Sequence, residues 1–322
     1  MSKTMKYSLM LLITSAIWGF AFVAQSEGGD AVGPFTFNSI RNFIGAGILV
    51  PVIAFLDKLG YGIKPADKAE KKKLWKYGSL IGIVLFLATN LQQLGITYGR
   101  SAGKAGFITA CYLIMVPIIG LFLGKKCGIH IWVAVVAAMA GVYMLSVTGR
   151  DGLAWTDLLL LLSAFAFAVQ ITLIDIFVAD VDGVRMAAIQ FLVCGILSAI
   201  PMFILESSKW AGVRGPFTAF ASSEAWISIL YAGLLSCGVA YTLQIVGQKN
   251  VPPTLASLMM SFESVFCVIG GWLLLGERMT FRQFYGCGLV FIAILLAQFG
   301  ELLSAGKKKA KDKKEEGYET DR

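Results

Sequence analysis

Residues 257–278 read SLMMSFESVFCVIGGWLLLGER. The run is apolar enough, and long enough, to cross the roughly 30 Å of hydrocarbon that about 20 helical residues span. Yet Glu263 falls close to its middle. A carboxyl at bilayer centre costs roughly 2.5–3.5 kcal/mol on insertion scales, so it is expected to face protein or water and not acyl chains. What the rest of the chain offers that carboxyl decides how the stretch is read.

Stretches of this kind recur ten times, at 6–26, 35–56, 74–97, 104–124, 130–148, 154–176, 185–205, 225–247, 253–275 and 281–300. The 322 residues are 57% hydrophobic and 15% charged, with a mean hydropathy of +0.73. A soluble domain carries about a quarter charged residues. The composition therefore predicts an all-α integral membrane protein of ten transmembrane helices. Helices are required because lipid leaves free backbone groups unsatisfied, and the alternation of a membrane barrel is absent. The first run continues through Trp18 and Phe22 without a small-residue cleavage site, which reads as a span and not a cleavable signal.

Basic residues cluster at Lys58 to Lys76, at Lys125 and Lys126, and from Lys307 onward. The positive-inside rule then puts both termini in the cytoplasm of a multi-pass plasma-membrane protein. Between spans six and ten the bias is weak, and the second half follows by counting. Residues 303–322 form a charged tail with nothing to bury, predicted to be disordered; its lysines suit anionic headgroups. The net charge of +8 reflects topology and membrane surface, not nucleic-acid binding. The six cysteines stand singly, without metal-ligand spacing, and read as small buried residues.

The chain also repeats itself. Ser15-Ala16 recurs as Ser163-Ala164 and Gly47-Ile48-Leu49 as Gly195-Ile196-Leu197, an offset of 148 (163 − 15). From the third span the offset is 152 (244 − 92), placing Leu91-Gln92 on Leu243-Gln244 and Gly124 on Gly276. The units are 1–149 and 150–302, with five spans each. Five is odd, so the second unit enters the membrane from the other side: two inverted five-helix repeats, a plan of secondary transporters whose sites lie near the midplane. Broken helices mark such sites. Pro117 in span four is expected to kink it, and Gly270-Gly271 stand at the matching depth of span nine.

Helical spacing finds polar faces inside these spans. Ser15, Trp18, Phe22 and Gln25 align in span one; Thr89, Asn90, Gln93 and Thr97 in span three, with Gln92 at the edge. Span six has Ser163 and Gln170 with Phe167 beside them, and span eight has Cys237, Tyr241, Gln244 and Gln248. Spans five and ten lack such stripes. Amides, phenols and indoles offer oriented hydrogen bonds suited to a polar organic molecule; they also serve as interhelical glue at about 0.6 kcal/mol each. Substrate contacts are expected at Trp18, Phe22, Asn90, Gln93, Tyr112, Phe167, Gln170, Tyr241, Gln244 and Glu263. Glu263 has three readings: a proton-carrying coupling site, a partner for a substrate ammonium, or a structural group bonded to another helix. Its counterparts in span four are Cys111 and Tyr112. Arg41, near the outer end of span two, is expected to snorkel to the interface as an anchor, with a substrate carboxylate as the alternative. Asp175, Asp180 and Asp182, at the inner end of span six, are expected to be solvated.

"LASLMMSFESVFCVIGGWLLLGERMT" (255–280) resembles the ninth span and following loop of EamA-type members of the drug/metabolite transporter superfamily. "AIWGFAFV" (16–23) is similar to the Trp-Gly step of the family's first span, and Arg41 in "FNSIRNFIGAGIL" (37–49) to its second-span arginine. Two departures stand out. Ser264 replaces the proline after the glutamate, which predicts a straighter span nine, and Gly124-Lys125 replaces the first half's Gly-Glu. The resemblance implies a cavity lined by spans one, three, four, six, eight and nine, and movement of amino acids or other small organic metabolites, often outward. The expectation is a secondary transporter for a small, amino-acid-like solute, working by alternating access at a central site, with no cofactor, no metal and no catalytic residue. Rivals are a multidrug or nucleotide-sugar carrier, or a receptor or scaffold. A membrane enzyme would need interfacial clusters of His, Asp or Cys, and the chain has one His.

Overall fold

The structure is a computed structural model that describes residues 3–60, 62–99, 102–125, 127–146, 154–207, 220, 222–275, 280–282 and 284–297. The charged tail, the expected boundary at 149/150 and Gly276-Glu277-Arg278 lie outside the described residues. The helices are α1 (Lys3–Val32), α2 (Pro34–Lys58), α3 (Lys68–Gly99), α4 (Ala102–Thr109), α5 (Tyr112–Phe122), α6 (Ile129–Ser146), α7 (Trp155–Phe177) and α8 (Gly183–Pro201). They continue with α9 (Ser223–Leu230), α10 (Thr242–Gln248), α11 (Pro253–Met260), α12 (Glu263–Leu275) and α13 (Phe284–Ala297). A widened, π-helical stretch, Met202–Glu206, prolongs α8, and another, Tyr231–Tyr241, joins α9 to α10. Among the described residues, seven helices are long and apolar enough to cross a membrane.

Side-chain chemistry is inverted relative to a water-soluble protein. Phe122 (88% exposed), Val50, Phe55, Ile129, Val136 and Ile204 point outward, whereas Ser15, Asn38, Gln93, Ser163, Gln170 and Gln190 are fully or almost fully buried. An apolar belt of that extent is untenable in water and natural against lipid, where small and polar residues turn inward to join helices.

Close contacts set the sense of each helix pair. α2 and α8 run antiparallel, from Thr36 on Glu206 through Ser39 on Gly195 to Asp57 on Arg185. α3 and α7 are also antiparallel: Ser163 donates to Ala88 O at 2.8 Å, and Gly95 packs on Leu160. α3 and α8 are parallel, with Gly78 on Ile189, Gly82 on Val193 and Asn90 on Ser198. α1 opposes α9–α10: Tyr231 donates to Ile17 O, Thr14 to Ala240 O, and Gly247 meets Leu11. At many of these crossings a glycine lets two backbones approach. α6 and α13 pack on each other at Gly141 and Val290.

The helix breaks correct the sequence reading. Pro117 lies within α5 and Gly270 within α12; the interruptions come earlier, at Ala110-Cys111 and Ser261-Phe262. At the first, Cys111 N bonds to Ile108 O, Leu113 N to Ala110 O and Ile114 N to Cys111 O. At the second, Phe262 N bonds to Met259 O, Ser264 N to Ser261 O and Val265 N to Phe262 O. Both are tight i−3 turns with the same bonding order, and neither needs proline or glycine. Gly270 serves close packing instead, since a Cβ there would meet the Phe20 ring at 3.0 Å. Span nine is therefore broken just before Ser264, where the missing proline predicts a straighter helix.

Candidate functional site

The two breaks place Tyr112 first in α5 and Glu263 first in α12, 151 residues apart. They meet: the Tyr112 hydroxyl donates to Glu263 Oε1 at 3.2 Å. Both are buried, Glu263 at 5% exposure. Together they border a cavity at the centre of the bundle, lined from both ends of the sequence.

Residues before position 150 line one part of it: Trp18, Phe22, Gln25, Arg41, Gln92, Thr109 and Tyr112. Phe167, Gln170, Ile171, Ser236, Tyr241, Gln244 and Glu263 line the rest. The chain's two halves thus contribute equally. The Trp18 and Tyr241 rings sit 4.6 Å apart, centre to centre, forming an aromatic wall, with Phe191 edge-on behind Tyr241. Gln244 Nε2 donates to Gln170 Oε1 at 3.3 Å. Trp18 Nε1, Gln25 Oε1, Thr109 Oγ1, Gln170 Nε2 and Gln244 Oε1 are buried without hydrogen-bond partners. Buried polar atoms ordinarily are paired, so these are donors and acceptors to be met by a guest or by water. Indole N–H, amide and hydroxyl groups, aromatic faces and one carboxylate can hold a small polar organic molecule.

Eight of the ten residues expected at a central site line this cavity. Asn90 and Gln93 do not. Asn90 accepts from Asn38 Nδ2 at 3.0 Å and donates to Ser198 at 2.8 Å, tying α3 to α2 and α8. Gln93 donates to Gln25 O at 2.7 Å, tying α3 to α1. These are the interhelical glue that helical spacing alone cannot tell from a binding face; Gln92, noted only at the edge, takes the place on the cavity. Gln25, Thr109, Ile171 and Ser236 also line it without having been expected there, although Gln25 belongs to the polar stripe of span one.

Arg41 is a second correction. It does not reach an interface: it is 3% exposed and lines the cavity, because α2 is covered by α8 on one side and by the α9–α10 stretch on another, with Gly233 against Arg41 O. The three aspartates, none of them buried, also make specific contacts. Asp175 pairs with Lys125, Asp180 with Lys73 at 2.8 Å, and Asp182 caps α8 through Arg185 N while accepting from Ile63 N. At the far end of the bundle, buried Glu206 accepts from Phe35 N, Thr36 N and Thr36 Oγ1 at 2.7–3.1 Å, capping α2 from the other half. Gly33 turns the chain there at φ +98°, and a Cβ on it would press on the Glu206 carboxylate at 2.7 Å.

The sequence profile of the EamA-like transporter family matches the chain twice, over residues 5–147 and 154–299. An uncharacterized transporter of Archaeoglobus fulgidus is 27% identical over 295 residues, 91% of this chain and 86% of that one. The uncharacterized transporter YoaV of Bacillus subtilis is 24% identical over 305 residues, 91% and 97% of the two chains. The uncharacterized inner membrane transporter YedA of Escherichia coli K12 is 25% identical over 296 residues, 90% of each. A solved crystal structure superposes with a TM-score of 0.72 at 18% identity, covering 91% of this chain and 96% of that one. At that identity it speaks for the fold alone.

Proposed function

The chain belongs to the EamA-like transporter family of the drug/metabolite transporter superfamily, and from that premise we propose that it is a secondary transporter for a small, amino-acid-like organic solute, exporting or exchanging it by alternating access at the central cavity. In this reading ten spans form two inverted five-helix units, 1–149 and 150–302, and both termini are cytoplasmic. Supporting the inversion, α1 opposes α9–α10, α3 opposes α7, and α2 opposes α8. Taking the hairpin senses in order along the chain, α7, α8 and α9–α10 then point opposite to α1, α2 and α3. An inverted pair has two nearly equivalent faces, so tilting one unit against the other can open each in turn.

The observation that carries the reading is the equal contribution of both halves to a cavity bordered by Tyr112 and Glu263, at helix breaks with the same bonding order. The ion pairs Lys73–Asp180 and Lys125–Asp175 cross between the halves at one end, and the Glu206 cap crosses at the other. These are the contacts that an opening of either end would break and remake. Aromatic walls beside Glu263 would also suit an apolar organic cation, the multidrug reading.

Counterflow with purified protein in sealed proteoliposomes tests the proposal. Saturable exchange of one or more labelled amino acids is expected. Folded protein that exchanges none of them, while exchanging apolar cations, would transfer the case to the multidrug reading.

A further inference from the structure

The cavity holds two opposite ionisable groups that are not paired with each other. Glu263 is bonded to Tyr112. Arg41 has no carboxylate partner among the described residues; its Nε has no hydrogen-bond partner at all, and its guanidinium carbon lies 5.3 Å from the centre of the Phe37 ring. A cation over an aromatic face gains about 0.5–2 kcal/mol, well short of the several kcal/mol that an unpaired buried charge costs. Arg41, Tyr241 and Glu263 line the same cavity, so the two ionisable groups share one space.

We propose that Arg41 is the anchor for a substrate carboxylate, and that the cavity thereby selects zwitterionic α-amino acids, their ammonium toward Glu263, over organic cations. This rests on the transporter reading above and adds its charge selectivity. Guanidinium suits that role because its planar fork matches both oxygens of a carboxylate, is always charged, and is more weakly hydrated than an ammonium. Trp18 Nε1 and Gln170 Nε2, buried and unpartnered, supply neutral donors on the same cavity. A membrane-buried arginine held for architecture alone would be expected to pair with a carboxylate or backbone carbonyls; among the described residues this one shows neither.

Counterflow of the twenty standard L-amino acids first identifies the one exchanged best. Its primary amide, which keeps the ammonium and loses the carboxylate charge, and its deamino acid then serve as competitors. Wild-type protein is expected to favour the zwitterion over both by about tenfold or more, the factor that a 1.4 kcal/mol difference gives. Arg41→Gln should lose the preference over the amide, while Arg41→Lys should retain part of it. Equal competition by acid and amide in the wild type overturns the proposal without needing any variant to fold. So does an Arg41→Gln protein that still prefers the acid. If amino acids exchange but their amides exchange equally well, only the role of Arg41 fails; if no amino acid exchanges, the transporter reading for such solutes fails with it.

Discussion

Gly19 lies where α1 crosses the start of α12, and replacing it with alanine tests the central geometry from outside the cavity. A Cβ at this position would stand 2.4 Å from Phe266 Cβ, 2.6 Å from Glu263 O and 2.8 Å from Cys267 N. Carbon atoms in contact prefer about 3.5–4.0 Å, so the crossing must open by about 1 Å. Two of the three obstructing atoms belong to the backbone, and no rotamer change removes them. Overpacking of this kind costs about 1–3 kcal/mol. Alanine's better helix propensity returns at most about 1 kcal/mol, and the backbone clash sets the cost toward the upper end, leaving a net loss of about 1–2 kcal/mol.

The functional effect should exceed the stability effect. Glu263 O is one of the displaced atoms, and the Tyr112–Glu263 bond is already 3.2 Å long; another 1 Å takes it past bonding distance. Melting in detergent and exchange in proteoliposomes are the two readouts. Gly47→Ala is the control, because a Cβ there meets nothing within 4 Å. Gly19→Ala should melt lower and exchange more slowly, and Gly47→Ala should match the wild type. The reasoning is falsified if Gly19→Ala behaves as the wild type in both readouts, or if Gly47→Ala is equally impaired.

Glu263→Gln keeps an oxygen to accept from Tyr112, so folding should survive while flux loses its dependence on pH; uptake as fast and as pH-dependent as before would remove the coupling role. Glu206→Ala strips three hydrogen bonds from the first turn of α2 and leaves buried donors unmet, a loss of about 1–3 kcal/mol. Its melting temperature should fall measurably, and an unchanged melt would mean that water replaces the carboxylate there. Lys73→Ala breaks a half-exposed pair with Asp180 that is worth at most about 1 kcal/mol. Its melt should barely move, and a large drop would show that this ion pair does more than surface electrostatics allow.

The all-helical membrane class was legible because lipid imposes one rule on every backbone group, and an apolar run of the right length satisfies it in only one way; among the described residues seven helices have that length and apolarity. The helix breaks were not legible. Ala110, Cys111, Ser261 and Phe262 are ordinary residues in a helix, while the conspicuous Pro117 and Gly270 belong to continuous turns. A proline removes a single backbone bond, which α5 absorbs without interruption, whereas the breaks are a local shift to i−3 bonding that no residue type there announces. Helical spacing picked out Trp18, Phe22 and Gln25 of α1, Phe167 and Gln170 of α7, and Tyr241 and Gln244 of the α9–α10 stretch, which line the cavity, although Ser163 and Gln248 of the same stripes bond to neighbouring helices instead. It failed on α3, which is polar on more than one side. Asn90 and Gln93 face neighbouring helices, and Gln92, about 100° round the helix, faces the cavity. Arg41 was misplaced because distance from a helix end measures depth only when that end is exposed, and the start of α2 is sealed beneath Glu206.

The asymmetry at the breaks has a physical rationale. Matched on their helix breaks, 151 residues apart, positions 112 and 263 are equivalent under the proposed inversion, and equivalent residues near a two-fold axis meet each other. Two carboxylates at this spacing could not both ionise, since like charges that close disfavour one another strongly. Two phenols could bond but would carry neither a proton in exchange nor a charge for an ammonium. A phenol facing a carboxylate supplies one donor and one acceptor, satisfies both in a buried setting, and leaves the second carboxylate oxygen free for the cavity. The same sequence step therefore breaks the symmetry and completes the site. Restoring identity tests this directly: Glu263→Tyr should abolish exchange while Tyr112→Phe only weakens it, whereas equal losses would mean that the pair holds the helices together and does nothing for the guest.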